Sequence, residues 1–242
     1  MVLSPKIVSI ITRCSQNKQT QRGNKKTKHE SFAFAGKDLQ SKMINPKKVT
    51  DYNRNEWQLQ EFLLYCICVA GKKSEVESPK VRKFCMDGRM GFGLLPFELI
   101  QKLMRISSVE EDGLMQHLKK YKIAPYQQRY NSFKDVATLL NKSLNEVTLD
   151  ELMQIRGLGT KSSRFFLTHS REDFNEAVID THILSFLKDQ GHEDIPNVTP
   201  QSEKVYERLA KLFKSYANFE GMSVADYDLK IWTQYSYGTE ES

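Results

Sequence analysis

Two residues of this 242-residue chain have types and spacing suited to covalent chemistry: Lys161, and Asp180 further along. Lys161 falls where a short helix should begin. There the macrodipole and partial burial both disfavour an ammonium ion, and a lysine that is neutral part of the time is a nucleophile. Asp180 closes the apolar run Ala177-Val178-Ile179 and reads as the N-cap of the next helix, which turns a carboxylate toward the amine.

The elements that must hold this pair are also visible. Thr148-Leu149-Asp150-Glu151 has the form of a capping box, so a short helix starts there and sends Leu149, Leu152 and Met153 inward. Gly157 stops it. Gly157 and Gly159 flank a single apolar residue, Leu158, which predicts a tight turn with positive φ. A second helix follows from Thr160 through Phe165, Phe166 and Leu167 to Ser170. The stretch 148–170 is therefore a helix-hairpin-helix. Its turn, Gly157, Leu158, Gly159 and Thr160, offers backbone N–H groups at the positive end of a helix. That is a site for a phosphate and a way to grip DNA without reading its sequence.

Gly157-Leu158-Gly159-Thr160-Lys161 followed by Val178-Ile179-Asp180-Thr181-His182 resembles the signature of the helix-hairpin-helix base-excision DNA glycosylases, and within them the compact archaeal-type 8-oxoguanine DNA glycosylases. Glu56-Trp57, Leu64-Tyr65-Cys66-Ile67-Cys68, Phe166-Leu167 and Asp228-Leu229-Lys230-Ile231-Trp232 extend the likeness over roughly residues 55–238. The resemblance implies a bifunctional DNA glycosylase and AP lyase. Lys161 would attack C1′ of a flipped nucleotide, displace the base and form an imine, and β-elimination would cut the strand. Asp180 would stabilise positive charge on the sugar and assist proton transfers. It also implies that Lys72 and Lys73 open onto the DNA cleft, and that Asp228 and Trp232 contact the base, Trp232 by stacking and Asp228 by accepting from a purine N–H. No metal or redox cofactor is implied. The implied partner is double-stranded DNA with a damaged base, met by a monomer.

Other readings of the same residues stay open. A Gly-x-Gly hairpin also serves polymerases, ligases and junction-binding proteins, where the lysine only touches phosphate; Asp180 at its distance is what turns the reading toward an enzyme. Taken singly, Asp180 is a helix cap and His182 a structural histidine. The chain also departs from the family pattern after Trp232: the family's short tail ends in lysine, this one in Glu240-Glu241-Ser242. The alternatives are thus a glycosylase for oxidised pyrimidines or another damaged base, and a non-catalytic DNA-binding module.

Charge is unevenly placed. Residues 1–50 hold eleven Lys and Arg against Glu30 and Asp38, so a net charge of +6 leaves the remainder slightly acidic. This divides the chain into a basic, mobile arm over 1–50, able to track a phosphate backbone or merely solvated, and a glycosylase domain over 51–242. No apolar run approaches the length needed to span a bilayer, which excludes a membrane protein. The four cysteines are Cys14, Cys66, Cys68 and Cys85; none follows Asp180, so the iron–sulfur cluster of some related enzymes has no ligands here. Cys66 and Cys68 read as buried thiols, and an intracellular, reducing compartment is expected. The five histidines show no metal-ligand spacing.

The body reads as all-α, two helical lobes flanking a cleft with the hairpin at one lip. Helices are expected over 56–70, apolar on nearly every side; over 79–86, with Pro79 in its first turn and Gly88, Gly91 and Gly93 breaking the chain; and over 96–104, 110–119 and 126–140. Another follows Asp180 and ends at Gly191. Thr199-Pro200 reads as a cap and first position for an amphipathic helix, and Ser223 starts the last one. Tyr130 and Phe133 read as core, and Gln127, Gln128 and Arg129 as residues able to face DNA.

Overall fold

A computed structural model describes residues 44–106 and 112–237. The basic arm up to residue 43, Cys14 and the acidic tail from Glu240 lie outside them. The described residues are helical throughout, with no strand among them: a 3₁₀ turn (Pro46–Lys48), then α1 (Glu56–Val69), α2 (Ser74–Phe92), α3 (Pro96–Arg105), α4 (Gly113–Lys120), α5 (Tyr126–Val136), a 3₁₀ turn (Ala137–Leu139), α6 (Leu149–Met153), α7 (Thr160–Ser170), α8 (Thr181–Asp189), α9 (Glu203–Phe219) and α10 (Val224–Tyr237). No helix among them is long and apolar enough to cross a membrane.

α1 is the axis of the first lobe. Asn55 starts it with a full capping box, its side chain accepting from Gln58 N–H while the Gln58 side chain accepts from Asn55 N–H. A helix with apolar residues on nearly every side must be covered on every side, and α2, α3, α5 and α7 pack around it. Its one internal acid, Glu61, is buried against Arg82 at 2.9 Å, and the Arg82 guanidinium lies 4.8 Å from the Trp57 ring. The pair is needed because an unpaired charge at that depth would be costly.

Two hydrophobic cores result. The first draws on residues from Val49 to Leu167, the second on residues from Ala177 to Ile231. α10 serves both: Tyr227 and Ile231 belong to the second, while Leu229 packs against the first. Val49 is buried in the first core, and Thr50 bonds His169, so the compact body takes in the residues just before position 51.

Several sequence expectations need correction. The second helix does not break at Gly88 or Gly91; α2 begins at Ser74, holds Pro79 in its interior and ends at Gly93, whose φ is +66°. Gly88 is there for space, since a Cβ would stand 2.9 to 3.1 Å from the Leu99 side chain of α3. The helix expected over 126–140 ends at Val136 and tightens into the 3₁₀ turn. Thr199 caps nothing: its hydroxyl donates to Ile179 O at 3.3 Å, and α9 begins later, after Ser202. Arg129, expected to face DNA, is buried and donates to Cys68 O at 3.2 Å. The helix expected from 110 starts at Gly113, capped by Asp112; positions 110 and 111 lie outside the described residues.

Candidate active site

The hairpin forms where expected. Thr148 caps α6, with its side chain accepting from Glu151 N–H and the Glu151 carboxylate accepting from Thr148 N–H. Lys142 and then Thr148 pull the Glu151 carboxyl down to about 2, so it accepts at any physiological pH. Only one of the two glycines has the expected backbone. Gly157 sits at φ +88°, and a Cβ there would meet Ser132 Oγ at 2.7 Å; Gly159 is extended at φ −96° and is the N-cap of α7. The turn therefore needs glycine at 157 for conformation and space, and at 159 leaves a helix start that no side chain caps. Leu158 is buried, its N–H donating to Ile155 O, so only its backbone belongs to the surface. Arg156 ties the hairpin to α5 through two 2.6 Å bonds to the Asp135 carboxylate.

Lys161 is the second residue of α7, with its side chain half-exposed, and its Nζ lies 3.4 Å from Asp180 Oδ2. The two oxygens of Asp180 have separate tasks. Oδ1 caps α8, accepting from His182 N–H at 2.9 Å and Ile183 N–H at 3.0 Å, and Oδ2 faces the lysine. The run leading to Asp180 is pinned from α9: Tyr206 OH accepts from Ile179 N–H at 2.9 Å and donates to Ala177 O at 3.2 Å. Burial raises the Tyr206 phenol to about 12, which keeps the proton that bond requires. Tyr206 was not legible from sequence beyond a helical apolar stripe.

Lys161 and Asp180 look into a cleft of about 800 Å³, within the range of small-molecule sites. Both lobes line it. From the first come Tyr65, Lys72 and Lys73; from the second, His182, Asp228 and Trp232. The expected site residues thus meet around one space, except the hairpin turn itself, which lies outside the lining. Lys72 donates its ammonium to Ala124 O and stands 3.9 Å from Glu77, while Lys73 is exposed at the N-cap of α2. Trp232 is half-buried and meets the His182 ring edge-on at 6.4 Å; His182 Nε2 lies 3.3 Å from Ser236 Oγ.

Asp228 is buried, and its Oδ2 lies 3.2 Å from Nε2 of His169, a fully buried histidine whose Nδ1 lies 2.8 Å from Thr50 Oγ1. Burial is the largest influence on the Asp228 carboxyl and raises it; His169 opposes the rise. Sequence reasoning noticed His169 only as a residue without metal-ligand spacing. Its partners stand 119 and 59 positions away, and no local signal announces them. Among the described residues no group of three His, Cys, Asp or Glu is arranged to hold a metal ion.

The fold is shared with solved 8-oxoguanine DNA glycosylases. The structure of the 8-oxoguanine DNA glycosylase of Thermotoga maritima superposes with a TM-score of 0.55, covering 84% of this chain and 91% of that one at 22% identity. That of Methanocaldococcus jannaschii gives 0.55 at 21% identity, over 83% of this chain and 87% of the other. Its complex with a 15mer DNA containing 8-oxoguanine gives 0.52, over 81% and 88%. In sequence, the chain is 32% identical over 113 residues to the 8-oxoguanine DNA glycosylase/AP lyase of Saccharolobus islandicus and 31% identical to that of Saccharolobus solfataricus. Each match takes in 47% of this chain, and the chain spans about half the length of the curated relatives it matches, 54%. No protein-family profile matches the chain.

Proposed function

We propose that the protein is a bifunctional DNA glycosylase and AP lyase of base excision repair, acting on an oxidised base in duplex DNA, 8-oxoguanine in the first place. The observation that carries this reading is the 3.4 Å approach of Lys161 Nζ to Asp180 Oδ2 at the mouth of a two-lobed cleft. A general acid or base must lie within reach of the proton it moves, directly or through one water, and the distance meets that condition.

The chemistry follows from the parts. The base is taken out of the stack into the cleft, since its sugar carbon cannot be reached inside a duplex. Backbone N–H groups at the start of α7 hold a phosphate, with Lys73 beside the mouth. Neutral Lys161 attacks C1′; the C1′–N bond breaks and the base leaves with its electron pair and a proton. Asp180 Oδ2 stabilises the positive sugar, takes up the proton released from the lysine nitrogen and passes it to the departing base. The ring-opened imine loses its C2′ proton, and the 3′ phosphate departs by β-elimination. Asp228 and Trp232 face the displaced base. The three free, buried thiols Cys66, Cys68 and Cys85 suit a reducing compartment.

The test is borohydride trapping on duplexes carrying 8-oxoguanine opposite cytosine, thymine glycol opposite adenine, or an abasic site. A covalent adduct on the 8-oxoguanine duplex that disappears in Lys161→Ala is the expected result. An adduct with thymine glycol alone overturns the lesion assignment. No adduct on any duplex, with binding intact, replaces the enzyme by a DNA-binding module.

A further inference from the structure

The buried histidine beneath the cleft has no part in the chemistry above, yet its ring joins two distant segments at a cleft-lining carboxylate. Thr50 Oγ1 lies 2.8 Å from His169 Nδ1, and His169 Nε2 lies 3.2 Å from Asp228 Oδ2. The ring is fully buried and held edge-on by Phe165 at 4.6 Å, so it cannot turn away. Its backbone carbonyl accepts from Asp51 N–H at 3.1 Å and from Arg54 at 2.7 Å, which fixes the end of α7 independently of the ring. A hydroxyl that donates to Nδ1 leaves the proton on Nε2, and an Nε2–H can only donate to its carboxylate.

We propose that His169 is a positioning residue for base recognition: with Thr50 on one nitrogen, it holds Asp228 Oδ2 and leaves Asp228 Oδ1 as an acceptor for a base edge that carries an N–H. Among the described residues Oδ1 has no bond of its own, and Asp228 lines the cleft. The inference rests on the proposed glycosylase reading and adds to it a reason for selectivity. An ionised carboxylate accepts from the N1–H of a 6-oxopurine and repels the N1 lone pair of an adenine-type edge; a protonated one would do the reverse.

The groups around Asp228 give the direction of the effect. Burial raises its carboxyl, the hydrogen bond from His169 opposes this, Asp180 at the head of α8 adds to the rise, and Lys161 on α7 opposes it. Tyr206 on α9 also lies within electrostatic range. Lys47 and Lys48, on the 3₁₀ turn packed against α10, are exposed. Without the His169 ring, Asp228 takes up a proton at higher pH.

The experiment compares single-turnover excision from an 8-oxoguanine duplex with cleavage of an abasic duplex, across pH, for wild type, His169→Leu, Thr50→Val and Thr50→Ser. In His169→Leu the acid limb of excision should move up by about one pH unit, the scale of losing a hydrogen bond to the ionised carboxylate. Abasic cleavage, which needs no base, should stay within about twofold across the same range. Thr50→Val, which keeps the ring and guards against a folding defect in the leucine variant, should shift the limb the same way by less, and Thr50→Ser should restore the wild-type profile. An acid limb that does not move, or excision and abasic cleavage falling together, overturns the proposal. Failure of wild type to excise 8-oxoguanine would instead overturn the function it rests on, and that is read in a separate arm.

Discussion

The wall of the cleft that carries Lys161 and the wall that carries Asp228 are held by different means. On the first, each group is fixed by backbone within a short stretch: a capping box at Thr148, a glycine at φ +88°, an uncapped helix start at Gly159, and a carboxylate that caps α8 with one oxygen. On the second, Asp228 sits in mid-helix and is fixed by burial and by a histidine from another helix. Local geometry positions an amine without burying it, so Lys161 remains half-exposed. Tertiary packing positions an acceptor by removing its water, at a cost in stability. The two walls should therefore fail differently when changed.

The largest effect belongs to the first wall. Lys161→Ala should remove the borohydride adduct completely while duplex binding persists in a mobility-shift assay. Asp180 then separates chemistry from structure. Asp180→Asn keeps an oxygen for the cap and should slow excision by about 10²–10⁴-fold with little change in melting temperature. Asp180→Ala should lose the same rate and about 1 kcal/mol of stability besides, in a denaturant titration. If both variants melt alike, the division of labour between the two oxygens is wrong.

The second wall should show the opposite sign in stability. Asp228→Asn should weaken lesion excision yet melt at a higher temperature than wild type at neutral pH. The sign follows from linkage: the folded Asp228 carboxyl is raised, so its favourable contribution is present below the unfolded pKa and lost as pH rises through the folded one. Wild type carries that cost at neutral pH and the amide does not. The gap in melting temperature should therefore narrow on acidification, and a constant gap would refute it.

Smaller changes test the turn. Gly157→Ala should cost about 1–3 kcal/mol, because positive φ and a 2.7 Å approach to Ser132 act together. Gly159→Ala has open space and an ordinary φ, so it should melt within about 0.5 kcal/mol of wild type. Any loss of duplex affinity in it then reports on the phosphate site itself. Thr148→Ala, at the solvent side of the hairpin, should cost about 1 kcal/mol and leave single-turnover rates alone.

What was legible in the sequence divides along the same line. The hairpin, both helix starts at 148 and 160, and the Asp180 cap are carried by neighbours in the chain, and reading neighbours was enough. Gly159 was misread as a positive-φ residue because Gly-x-Gly does not say which glycine turns. Gly88 was misread as a breaker because its cause is Leu99 on another helix. Thr199-Pro200 has the chemistry of a helix start, but the Ile179 carbonyl competes for the hydroxyl and holds it. Arg129 looked like a surface cation and is spent on Cys68 O. The Thr50–His169–Asp228 connection has no sequence signature, since its members are brought together only by the packing of α7 against α1 and α10.

The two cores occupy successive, unbroken portions of the chain, from 49 to 167 and from 177 to 231. A polypeptide emerging from its N-terminus can thus bury most of the first core, and present Lys161 on a formed hairpin, before α10 exists. At that stage Lys161 has neither Asp228 nor Trp232 across the cleft from it. Docking of the last helix closes the first core through Leu229, completes the second and supplies the far side of the cleft in one event. The far wall of the cleft thus waits on α10, and unravelling of that single helix would open the cleft while leaving the hairpin intact.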